Sequence, residues 1–139
     1  MAFDIYRGWP LDGSIHDNAP PKEGEGIIEG MAVKKDANGE LVKADGTAAE
    51  VAGMSLKSQA DLDVAFADSM PYVLRNAIMY TDQYVGGETR AIGDALQVSS
   101  GGEAGLFKLH TGGAAPVFGT YDGEEIRNGK TMIKIIFAS

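Results

Sequence analysis

The sequence predicts an all-β fold, a small β-barrel or sandwich built from two related meanders, and three observations lead there. One pattern is stated twice. Gly30-Met31-Ala32-Val33 leads to Gly39-Glu40-Leu41-Val42-Lys43 and then to Val51-Ala52-Gly53, while Gly93-Asp94-Ala95-Leu96-Gln97-Val98 leads to Gly105-Leu106-Phe107-Lys108 and then to Val117-Phe118-Gly119. Each copy reads as strand, glycine turn, short strand, loop, and a strand carrying glycine, a period that suits a three-stranded meander and is too short for a domain. The composition agrees: 19 Gly among 139 residues, spread among β-branched and aromatic residues with no collagen-like period, mark turn-rich β structure. Only one stretch, residues 58–69, has any helical periodicity.

Taken in order, residues 1–26 carry punctuation without periodicity, at Gly8, Pro10, Gly13, Pro20, Pro21, Gly24 and Gly26. Such a segment does not build its own core, yet Phe3, Ile5, Tyr6, Trp9 and Leu11 make it too apolar for a solvated linker. It reads either as a strand or cover folded onto its own domain, or as an extended arm that reaches a neighbouring subunit or partner with those five residues as anchors. The domain proper is expected over residues 27–139. Ile27-Ile28 and Met31-Ala32-Val33 are extended, Asn38-Gly39 predicts a type I′ hairpin because both residues tolerate positive φ, and Leu41-Val42 pairs back across it. Asp45-Gly46 turns the chain into a further strand from Val51 to Leu56.

In residues 58–69, Ser58 followed by Asp61 resembles a helix N-cap and Leu62 and Phe66 share a helical face, although Leu62, Val64 and Phe66 also alternate as a strand would. A short helix or irregular connection is expected, closed by Met70-Pro71 because the residue before proline is pushed from the helical region. Residues 72–80 alternate as one long strand. Gly86-Gly87 leads into the second half, and Met132-Ile133-Lys134-Ile135-Ile136-Phe137 places Ile133, Ile135 and Phe137 on one inward face of a strand expected to close the barrel.

At 139 residues the chain is one domain able to bury roughly two-thirds of its unfolded surface. A net charge of −8, from 12 basic and 20 acidic residues, repels phosphate backbones and anionic lipid heads and argues against nucleic acid or membranes as partners. Without cysteine there is no disulfide framework, thiolate zinc site or thiol nucleophile. Residues 1–10 show neither a basic leader nor a continuous apolar run, and no stretch approaches the ~20 apolar residues of a membrane span, so the chain is expected to be made in the cytoplasm.

Chemistry is sparse. Nucleophilic catalysis needs a base beside the nucleophile, and the two imidazoles, His16 and His110, stand in loop-like contexts. No Gly-x-Ser-x-Gly elbow is present, and Ser55-Leu56-Lys57-Ser58 lacks the Ser-x-x-Lys spacing. Asp61, Asp63 and Asp68 resemble a calcium loop superficially but lack its turn glycine and closing glutamate; Asp12, Asp17 and Glu23 have generic spacing. Ser99-Ser100-Gly101-Gly102 and Thr111-Gly112-Gly113 have no Lys-Ser/Thr after them to make a phosphate loop. No catalytic residue, metal site or cofactor is expected, and the chain reads as no enzyme.

The pattern Gly-x-x-Leu/Val, Gly-Leu, Val-x-Gly, seen at Gly93 to Leu96, Gly105-Leu106 and Val117-Phe118-Gly119, resembles the capsid decoration (cement) proteins of tailed bacteriophages over roughly residues 24–137. The apolar N-terminal segment, acidic charge, absent cysteine and terminal Ile-Lys-Ile-Ile run fit the same family. The resemblance implies a compact β protein that binds the outer capsid lattice, with the major capsid protein as partner, often as a trimer, and stabilises the shell; it carries no catalytic residues over. Its place would be the virion, on the capsid exterior. Another virion part, such as a tail or baseplate component, would read almost identically, and a carbohydrate-binding or adhesin-like β module would use its exposed aromatics instead.

Overall fold

The computed structural model describes residues 10–46, 53–62 and 69–137, with backbone only at 10–16 and 75–76. Among the described residues there are nine strands: β1 Pro10–Ala19, β2 Ala32–Lys35, β3 Leu41–Lys43, β4 Gly53–Ser55, β5 Met70–Thr81, β6 Ala95–Val98, β7 Phe107–Leu109, β8 Gly119–Arg127 and β9 Lys130–Phe137. The helical content among the described residues is two single 3₁₀ turns, Gln59–Asp61 and Gly101–Glu103. Neither reaches the length of a helix, and Ser58 makes no side-chain cap; its hydroxyl instead accepts the Glu29 N–H at 2.8 Å.

All ladders between strands are antiparallel and run in the order β3-β2-β4-β5-β9-β8-β6-β7, with β1 added on β5. Two five-stranded sheets share β5. The first reads β3-β2-β4-β5-β1, the second β7-β6-β8-β9-β5, and the two have the same topology. The first half of β5 meets β4 at Tyr72 and Val73, and its second half, Ala77 to Thr81, pairs with β9. Since β4 and β1 address the same residues of β5, they lie on its opposite edges. On β5, β1 therefore takes the place that the second half of β5 takes on β9.

The expected repeat extends to individual hydrogen bonds. Val33 pairs Gly53 and Leu96 pairs Gly119, so those two glycines are equivalent. Gly30 N–H donates to the Ser55 carbonyl and Gly93 N–H to that of Tyr121; Ser55 and Tyr121 donate back to Met31 and Asp94. The glycines at 24 and 87, 30 and 93, and 39 and 105 all have positive φ, from 77° to 101°, where a side chain would be strained. At 53 and 119 the reason is space: an added Cβ would stand 2.6 Å from the Val73 carbonyl oxygen at one and 2.8 Å from that of Ile136 at the other.

The arrangement is a sandwich, and the barrel is not closed. β9 does not seal a ring; it lies between β5 and β8. The end strands β3 and β7 are instead covered by the chain itself. Pro21 bridges Leu41 in parallel and Tyr84 bridges Phe107 in the same way. A carboxylate then caps the next edge N–H: Glu25 accepts from Lys43 at 2.9 Å and Glu88 from Leu109 at 3.0 Å. Edge donors satisfied in this way neither recruit the opposite edge nor invite another chain.

The main core draws on both sheets, through Met54, Val73 and Met79 as well as Leu96, Phe107, Ile133, Ile135 and Phe137. Phe118 packs between Phe107 and Phe137, with ring centroids 4.6 and 4.9 Å apart. Ile133, Ile135 and Phe137 point inward as their alternation predicts. Along β5, Val73, Ala77 and Met79 join this core, while Met70 and Tyr72 join a second cluster with Ala19, Ile27, Val33 and Leu41.

Two turns differ from expectation. At Asn38-Gly39 only Gly39 has positive φ. Asp36 closes a type I turn through its carbonyl to Gly39 N–H at 3.1 Å, while its carboxylate accepts the Asn38 and Glu40 N–H groups at 2.8 and 3.0 Å, the aspartate-first, glycine-last chemistry of that turn. The two-residue I′ geometry occurs at Asn128-Gly129, φ 52° and 77°, between the paired Arg127 and Lys130.

Candidate functional site

Of the five anchors expected from sequence, Phe3, Ile5, Tyr6 and Trp9 lie outside the described residues, and Leu11 is placed by its backbone in β1. What is described of residues 1–26 is laid on the chain's own sheet. β1 runs along β5 from Pro10 opposite Ala77 to Ala19 opposite Met70, with a break in register between Pro10 and His16, and Ala19 is buried.

A clip centred on Asp17 holds β1 at its C-terminal end. Lys35 Nζ lies 3.3 Å from Asp17 Oδ2, the Tyr72 hydroxyl donates to the same oxygen at 3.2 Å, and the Asn18 N–H donates to Oδ1 at 2.8 Å. The Asn18 N–H, followed by Lys35 and Tyr72, favours the charged carboxylate and holds Asp17 below its ordinary value of 3.8. The same pairing raises Lys35. Tyr72 is raised chiefly by burial.

A groove of about 600 Å³ opens beside this clip, between residues 22–25 and the β2–β3 hairpin. Lys22, Lys34, Lys35 and Lys43 line it together with Glu25 and Asp36. Both carboxylates are engaged by backbone N–H groups, as described above. The Lys43 stem lies against Gly105, where an added Cβ would be 3.5 Å from its Cβ and Cγ, and its ammonium comes within 4.0 Å of the Cβ position at Gly26. Spacing along the chain could not announce this cluster, because its four lysines come from three separate elements and are outnumbered by the five acids of the same stretch, residues 22–43.

The second half uses the corresponding region differently. Arg90, its side chain 4% exposed, donates to the Val85 carbonyl at 2.6 Å, lies 3.6 and 3.7 Å from Glu88 and Glu124, and stacks 4.7 Å from the Tyr84 ring centre. Burial raises the Tyr121 hydroxyl beside it. These contacts tie the cover segment of that half to β8.

The titratable groups singled out from sequence do not converge. His16 is in strand β1 opposite Val73 and not in a loop. His110 ties its own loop: Nδ1 accepts the Gly112 N–H at 3.0 Å, which leaves Nε2–H to donate to the Ala115 carbonyl at 2.7 Å. Asp61 is exposed at the end of its 3₁₀ turn, Asp63 and Asp68 lie outside the described residues, and the Asp12 side chain is likewise undescribed. Among the described residues no group of three His, Cys, Asp or Glu is placed to hold a metal ion, and no helix is long and apolar enough to cross a membrane. Compared with protein-family models, with curated proteins and with solved structures, the chain matches none.

Proposed function

We propose that this chain is a structural virion protein that binds the outer surface of a phage capsid lattice and stabilises the shell, as a trimer contacting the major capsid protein. The supporting observation is that the repeated glycine pattern, on which the resemblance to decoration proteins rests, is a structural repeat carried through equivalent hydrogen bonds and not an accident of turn composition. The role is structural, without catalysis. A scaffold whose end strands are capped within the chain folds without a partner and keeps its surface for the lattice. Binding the assembled shell and not its free subunits stabilises the shell by mass action, by about 2.7 kcal/mol per site at a hundredfold excess over Kd.

In this reading Phe3, Ile5, Tyr6, Trp9 and Leu11 form the contact, and β1 roots that stretch on the sheet. The test is co-sedimentation with purified capsids, intact protein against a variant lacking residues 1–9, which spares β1. Saturable binding by the intact protein, weakened in the shortened one with an unchanged thermal melt, is expected. Failure of the intact protein to pellet with capsids at micromolar concentration overturns the proposal.

A further inference from the structure

At the lysine-lined groove the two halves of the repeat differ in chemistry, and the duplication supplies its own comparison. By the register of equivalent hydrogen bonds, Lys22, Lys34, Lys35 and Lys43 correspond to Val85, Gln97, Val98 and Leu109. The second half builds the same strand pairs, the same parallel cover and the same glutamate cap with no lysine at any of the four. The scaffold therefore does not require these charges.

Nor do ion pairs account for Lys22 and Lys43. Four of the chain's 12 basic residues gather in one groove of a protein with 20 acidic ones. Glu25 and Asp36 are drawn to backbone N–H groups, and Lys35 is held by Asp17. The Lys22 and Lys43 ammonium groups have no carboxylate partner among the described residues, and Lys43 is half-buried, its stem packed against Gly105. A lysine whose rotamers are already restricted loses less entropy when it takes an anion.

We infer that this groove binds a short acidic peptide segment of a protein partner, with side-chain carboxylates reaching Lys22 and Lys43. Its volume lies within the ~300–1,000 Å³ of ordinary ligand sites, which is room for a few residues. The field of a chain with net charge −8 repels any long polyanion that leaves the groove, which favours a short peptide over nucleic acid. The edge of β3 is already covered at Leu41, so recognition runs through side chains and not through an added strand.

The experiment measures fluorescence anisotropy of a labelled hexaglutamate peptide with the intact protein at low and at physiological salt. Two charge-matched double variants follow, Lys22→Glu with Lys43→Glu in the groove and Lys57→Glu with Lys108→Glu outside it. Lys22→Met with Lys43→Met keeps the stems' packing if the groove reversal disturbs folding. Salt-sensitive binding is expected, weakened at least tenfold by either groove variant and less than threefold by the outside one, with a six-residue oligothymidylate at least tenfold weaker than the peptide. Absence of peptide binding overturns the proposal, as do equal losses in both charge-reversed variants, which would be the field of the whole protein. Equal affinity for the oligonucleotide also overturns it. None of these outcomes depends on capsid binding.

Discussion

Replacing Gly119 with alanine probes the contact that the repeat states twice. The new Cβ would stand 2.8 Å from both Ile135 Cγ2 and the Ile136 carbonyl oxygen and 3.1 Å from Phe137 Cβ, against the roughly 3.5–4.0 Å at which such atoms attract. One of those atoms is backbone and another a β-carbon, so no rotamer change relieves them. They belong to β9, which is fixed between β5 and β8, and β8 must lift by about 0.7 Å to restore contact distance. Overpacking of this kind costs about 1–3 kcal/mol, and the smaller unfolded-state entropy of alanine returns roughly 0.5 kcal/mol. A net loss of about 1.5 kcal/mol lowers Tm by roughly 5 °C in a domain of this size. Gly53→Ala meets the Val73 carbonyl oxygen at 2.6 Å and Tyr72 Cδ2 at 3.0 Å, and a loss at least as large is expected. Gly86, with nothing within 4 Å of an added Cβ and no positive φ, is the control, and its alanine variant is expected to melt at or slightly above the wild-type temperature. Far-UV circular dichroism melts and urea midpoints at neutral pH read all three. If Gly119→Ala melts within a degree of Gly86→Ala, the close approach of β8 to β9 carries no energetic weight and the steric account of the paired glycines fails.

Two further perturbations address the core and the clip. Ile135 is fully buried among both sheets, so Ile135→Asp places a charge in an apolar core at a cost of several kcal/mol, comparable to the whole stability of the domain; a soluble variant with a cooperative melt would show that the inward face of β9 carries no such burden. For Asp17, a carboxylate held below its ordinary 3.8 contributes stability that is complete above that value and is lost as pH falls through the folded value. The melting gap between wild type and Asp17→Asn should therefore be constant from pH 8 to about 5, narrow below about pH 4 and shrink in high salt. A gap that persists unchanged at pH 3 would rule out the ionised clip as its source.

The all-β class, the twofold repeat and the inward face of β9 were legible in the chain because each depends on local rules. Glycine is needed where φ is positive or where backbones meet, as at Gly30 and Gly93 or at Gly53 and Gly119, and a strand with one inward face alternates, as at Ile133, Ile135 and Phe137. Turn type was not legible from the dipeptide alone. Asn38-Gly39 and Asn128-Gly129 are identical in sequence, yet Asp36 captures the N–H groups of the first and produces a type I turn, while the pairing of Arg127 with Lys130 leaves only two residues for the second.

Tertiary structure alone decided how these elements combine. Residues 72–80 read as one long strand; that the first half of β5 completes one sheet and its second half another follows from where β4 and β9 reach it, contacts between residues as much as 60 positions apart. Whether β9 would close a barrel was decided at the far edges, where Pro21 and Tyr84 with Glu25 and Glu88 satisfy β3 and β7 from within. The lysine groove has the same origin. Lys22, Lys34, Lys35 and Lys43 become neighbours only when residues 22–25 are laid against the hairpin, and a charge cluster assembled from separate elements leaves no periodic trace along the chain.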